Sequence, residues 1–76
     1  SEMQAQAREY EIVLKSEPDN QIALEGLVQV RLQMRDRKGA IQPLEQLVKL
    51  NPKKQEYKSL LAQVKQEVGK GGKGDR

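Results

Sequence analysis

The sequence predicts an all-α fold, antiparallel helical hairpins stacked as a short solenoid of about four helices, and three observations carry that prediction. Apolar residues recur at helical spacing in four stretches, each bounded by helix start and stop signals. Tyr10 and Tyr57 are the only aromatics among 76 residues, so Leu, Val, Ile, Ala and Met must fill the core, as they do where helix packs on helix. The punctuation also repeats. KSEPDN at residues 15–20 is followed, 34 residues later, by KLNPKK at 49–54, and each ends one apolar run with a Pro and opens another.

The first helix is expected from about Glu2 to Lys15, with Met3, Ala7, Tyr10, Val13 and Leu14 on one face. Glu17-Pro18-Asp19-Asn20 ends it, because Pro biases the residue before it away from helix and Asp and Asn favour turns. Asp19 or Asn20 caps the second helix, which carries Ile22, Ala23, Leu24, Leu27, Val30, Leu32 and Met34 and ends near Arg35. Asp36 is a suitable cap for the third helix, with Ala40, Ile41, Leu44, Leu47, Val48 and Leu50. Pro43 opposes that reading, since a Pro inside a helix removes one bond and costs about 3 kcal/mol. Either the third helix starts near Ala40 or it is kinked there.

Asn51-Pro52 repeats the stop signal. The fourth helix follows over about Lys53 to Val68, striped by Tyr57, Leu60, Leu61, Val64 and Val68. Residues 1–68 therefore form the helical domain. GKGGKGDR, residues 69–76, is half glycine with no apolar side chain to bury, and is expected to be a flexible Gly/Lys tail. Its glycines at 69 and 74 have P-loop spacing, but Asp75 stands where that loop needs lysine.

A shift of 34 residues aligns Tyr10 with Leu44, Val13 with Leu47, Leu14 with Val48 and Pro18 with Pro52. It also aligns Leu27 with Leu61, Gln29 with Gln63 and Val30 with Val64. Apolar positions in phase over both helices of a unit mark a solenoid, where each hairpin buries its face against the next.

At these residues the chain resembles the tetratricopeptide repeat family, whose unit is a 34-residue helix-turn-helix. The whole unit here is QIALEGLVQVRLQMRDRKGAIQPLEQLVKLNPKK, Gln21 to Lys54. Leu24 stands at the family's Trp, Leu27 at its Leu, Ala40 at its small residue, Leu44 at its large apolar residue and Pro52 at its closing Pro. Val28 replaces the family's glycine and Arg31 its tyrosine, so the family's close approach between the two helices of the unit is not implied here and a wider crossing would be tolerated. The resemblance covers roughly residues 2–68 and begins in mid-repeat, as in a segment of a longer array or an unusually small self-contained example.

The resemblance implies protein binding, with the first helix of each unit lining a concave groove. The implied partner-facing residues are Ile22, Glu25, Gln29, Leu32 and Gln33 from the second helix, and Glu56, Ser59, Gln63 and Gln66 from the fourth. The plainer reading of the same residues is a pair of solvated helix faces. Some relatives hold a partner's terminal carboxylate with Lys, Arg and Asn; Glu25, Gln29, Ser59 and Leu60 occupy the comparable places here, and that clamp is not reproduced.

Composition narrows the function further. The chain has neither Cys nor His, so disulfides, thiolate metal sites and the commonest general base are all missing, and no metal, cofactor or catalytic residue is expected. Ser16 and Ser59 have no recognisable base partner, and the reading is not an enzyme. Lys70, Lys73 and Arg76 against Asp75 account for two of the net +3, which leaves +1 for residues 1–68, too slight a bias for nucleic-acid binding. Arg31, Arg35, Arg37 and Lys38 form a basic cluster whose ordinary role is a solvated face near a helix C-terminus. Apolar runs fall well short of the ~20 residues of a membrane span, no signal peptide is visible, and a cytoplasmic protein is expected.

The partner expected is a protein or peptide bound on the concave face, with no membrane. The alternatives are a self-associating or spacing segment of a longer array and, behind it, a weak binder of nucleic acid or an anionic surface. Because the first helix has no partner before it and the fourth lacks the second half of its repeat, a weak homodimer is also expected.

Overall fold

A computed structural model describes the backbone of residues 1–74 and the side chains of residues 1–70. The described residues form four helices, α1 Glu2–Ser16, α2 Gln21–Gln33, α3 Arg37–Leu50 and α4 Gln55–Gly74. Each packs on the next in chain order, giving a slab of 39 × 35 × 15 Å. This is the all-α stack of helical hairpins that the 34-residue period predicts.

The repeat is visible in backbone bonds as well as in sequence. At the end of α1 the Glu17 N–H donates to the Val13 carbonyl at 2.8 Å, and Asn20 N–H to the Glu17 carbonyl at 3.0 Å. Thirty-four residues on, Asn51 N–H donates to Leu47 at 2.9 Å and Lys54 N–H to Asn51 at 3.0 Å. The two Pro turns thus close the same way. Of the two residues proposed to cap α2, Asn20 does so, its side chain accepting from the Ala23 N–H at 2.9 Å; Asp36 caps α3 by accepting from Gly39 N–H at 3.0 Å.

Two clusters form the core. Leu24, Val28, Ala40, Leu44, Leu47 and Val64 make the larger one, between α2, α3 and α4, with Leu60, Leu61 and Val68 half-buried against it. Ala7, Leu27 and Val30 make the smaller one between α1 and α2, and Tyr10, Leu14 and Met34 pack around it. Leu27 is therefore a core residue, but in the α1–α2 layer. Much of the apolar stripe of the two terminal helices is covered from within the chain. Ala7 and Val64 are buried, and Met3, Ile12 and Val13 remain as exposed apolar side chains on α1.

One of the two alternatives for Pro43 is excluded, and one sequence-based expectation needs correction. The third helix does not start near Ala40: it starts at Arg37 on the Asp36 cap and runs through a fully buried Pro43 to Leu50. Proline at 43 leaves the carbonyl of Gly39, four residues back, without its helical donor. Arg31 supplies the replacement, with Nη1 donating to that carbonyl at 2.8 Å. The fourth helix does not end near Val68 but continues to Gly74. Glycine lowers helix propensity by about 1 kcal/mol without forbidding helix, and no stop signal stands between Val68 and Gly74. Asp75 and Arg76 lie outside the described residues.

Candidate functional site

On α2 the residues that point away from both core clusters follow from the helical period. Ile22, Glu25, Gln29 and Gln33 recur at three- and four-residue steps, and share one face. On α4 the same spacing aligns Glu56, Ser59, Gln63 and Gln66, all exposed. The α2 face borders an open cavity of about 450 Å³, within the ~300–1,000 Å³ of ordinary ligand sites. Its walls include Tyr10 from α1, Ile22, Glu25 and Gln29 from α2, and Tyr57 and Leu60 from α4; Leu44 and Leu47 of α3 form its floor.

Three of the nine sequence-predicted residues, Ile22, Glu25 and Gln29, line this cavity together. Leu32, Gln33, Glu56, Ser59, Gln63 and Gln66 do not. Leu32 turns half into the larger core cluster, Ser59 accepts a long 3.4 Å bond from Gln55, and Gln33, Glu56, Gln63 and Gln66 are exposed on α2 and α4. Ile22 is the most exposed large apolar residue described, at 79%.

The sequence places both tyrosines on core stripes, not among the site residues. Each is half-buried, with one side on the core and the other on the cavity. The signal available was composition: two aromatics in a chain that otherwise needs none. Tyr10 reaches the cavity because Gly26 leaves room for its ring. A Cβ on Gly26 would lie 2.3 Å from Tyr10 Cζ.

Tyr57 is fixed by its partners. Its hydroxyl donates to Oε2 of Glu25, and the Lys54 ammonium lies 5.1 Å from its ring centroid, within cation–π reach. The hydrogen bond to Glu25 raises the Tyr57 pKa above 10.0, burial and the Glu25 charge raise it further, and Gln21 pulls the other way. The bond ties α2 to α4 at the cavity wall and fixes the direction of the Glu25 carboxylate.

Outside the cavity, three ion pairs hold neighbouring helices among the described residues. Arg31 on α2 pairs with Glu11 on α1. Arg37 on α3 pairs with Glu67 on α4 at 3.1 Å, and Lys65 with Glu45 at 3.5 Å. Half of the basic cluster seen in the sequence is therefore engaged: Arg31 and Arg37 hold helices together, whereas Arg35 and Lys38 face solvent. Among the described residues no cluster of metal-ligating side chains occurs, and no helix is long and apolar enough to cross a membrane.

A family model described as tetratricopeptide repeat matches residues 4–64. No curated protein and no solved structure gives a significant match to the chain.

Proposed function

The chain belongs to the tetratricopeptide repeat family, generally a non-enzymatic, protein-binding module, and on that premise we propose that it holds a peptide or partner helix on the concave face built by α2 and α4. The observation that carries this reading is Ile22, a large apolar side chain left in solvent at the edge of an open cavity lined by further apolar and aromatic groups. Apolar anchors beside polar, hydrogen-bonding neighbours are the usual composition of a binding hot spot. Gln29, Gln33, Gln63 and Gln66 supply donors and acceptors that suit an extended or helical backbone.

Selection of a displayed random-peptide library on the immobilised chain tests the proposal. The enriched peptides should lose at least about tenfold in affinity when Ile22 is replaced by Asp, a change of about 1.4 kcal/mol. The melting temperature should not move, because Ile22 is exposed. Peptides that bind Ile22→Asp as tightly as the parent chain contradict it.

A second reading, weak self-association, is favoured by Met3, Ile12 and Val13, which leave α1 with exposed apolar side chains. Sedimentation equilibrium over a hundredfold concentration range distinguishes it: a rising weight-average mass supports a dimer, and a constant monomer mass excludes one.

A further inference from the structure

Glu25 is the single charged residue that lines the cavity. The ion pairs among the described residues use Glu11, Glu67 and Glu45, and none reaches Glu25. One of its oxygens accepts from the Tyr57 hydroxyl, whereas Oε1 accepts no hydrogen bond from the described residues. The carboxylate is half-buried, held in one direction by Tyr57, and open to one further donor. Such a group gains more from an incoming cation than a mobile surface carboxylate does, because the ordering cost is already met and local screening is weaker.

The surroundings have the same sign. The nine concave positions on α2 and α4 carry Glu25 and Glu56 and neither Lys nor Arg, although the chain as a whole is +3. No Lys or Arg lines the cavity, and the Lys54 ammonium stands over the Tyr57 ring. Two phenol rings, Tyr10 and Tyr57, stand in the cavity wall, and ring faces attract cations. Tyr57 already shows that behaviour with Lys54.

We propose that the cavity takes a cationic side chain, a lysine or arginine of a partner peptide, whose charge meets Glu25 beside Tyr10 and Tyr57 while an apolar neighbour in the peptide packs on Ile22. This inference rests on the concave face being the binding surface. An acidic segment would bring like charge against a carboxylate that no ion pair among the described residues engages, and the cavity disfavours that class. The preference is a matter of charge sign as well as shape.

The test is a double-mutant cycle on a peptide selected from the random library, with its basic residue changed to Gln and Glu25 changed to Gln. Selected peptides should carry Lys or Arg next to an aliphatic residue more often than the input library does. Each single change should weaken binding about fivefold, the size of one modest ion pair. The double change should be no weaker than either single one. Equal affinities before and after Glu25→Gln, or changes that simply multiply, overturn the inference. Selected peptides that lack basic residues yet lose affinity for Ile22→Asp also overturn it, while leaving the concave face as the binding surface. Peptides that ignore both substitutions overturn the inference and the surface together.

Discussion

Arg31 donates to the backbone carbonyl of Gly39 at 2.8 Å, the one carbonyl in α3 whose helical donor is removed by Pro43. The same guanidinium pairs with Glu11, so one side chain joins α1, α2 and α3. Arg31 stands where the tetratricopeptide family has tyrosine, and it does a different job there. It makes an interior proline tolerable.

Arg31→Met should therefore destabilise the chain by about 1–3 kcal/mol, because a partly buried carbonyl loses its charged donor. Pro43→Ala restores the amide that would bond Gly39. In that background Arg31→Met should cost about 1 kcal/mol less. Urea denaturation of the four chains reads the coupling directly. Additivity within about 0.3 kcal/mol means that the two residues are independent and the account is wrong.

Arg35 is in the left-handed region, at φ 62°, where α2 ends. Its N–H bonds the Leu32 carbonyl at 3.0 Å and the next N–H, of Asp36, bonds Arg31 at 2.8 Å, the pairing that glycine most often closes. Arg35 is exposed and makes no ion pair among the described residues. Arg35→Gly should raise stability by about 0.5–1 kcal/mol, since a side chain in this conformation is disfavoured. A loss of stability would show that the arginine side chain contributes something the backbone geometry does not reveal.

Tyr57 holds its proton more tightly in the fold than in the unfolded chain, first because of its bond to Glu25. The sign follows. A folded pKa raised above 10.0 gives stability that is complete below pH 10 and is lost as pH rises through the folded value. In Tyr10→Phe, where Tyr57 is the only phenol, phenolate absorbance should appear above pH 10. Adding Glu25→Gln should move that titration down. A midpoint at or below 10, or one indifferent to Glu25→Gln, contradicts the hydrogen bond.

Much of the fold was legible because the chain's signals agree with one another. The turns at Pro18 and Pro52 repeat in sequence and in bond pattern, and the apolar spacing located Leu24, Leu27, Leu44, Leu47 and Val64, all buried. Pro43 was ambiguous because the group that relieves it, Arg31, lies on another helix, beyond the reach of local propensity. The end of α4 lies beyond Val68 because the lack of apolar side chains, which points to a flexible tail, does not by itself stop a helix that is already propagating. The site was less legible still. Helical phase placed Ile22, Glu25 and Gln29 on one face, but Tyr10 enters the cavity only through the space above Gly26, a contact between α1 and α2 that no spacing rule contains.

Residues 69–76 should be dispensable for folding. The Val68 side chain packs on the core, whereas a Cβ on Gly69 would meet no neighbour, so the segment after Val68 has little apolar surface to offset its ordering. Deleting 69–76 should leave the melting temperature within error. A fall of several degrees would show that the end of α4 contributes to the domain.

Amide chemical-shift mapping of the isotope-labelled chain with a selected peptide shows whether the concave face of α2 and α4 is the binding surface. Shifts should concentrate at Ile22, Glu25, Gln29, Tyr57, Ser59 and Gln63, with the Arg35–Lys38 turn and the outer face of α1 unmoved. Shifts centred on that turn or on Met3, Ile12 and Val13, with the concave residues unmoved, would contradict it.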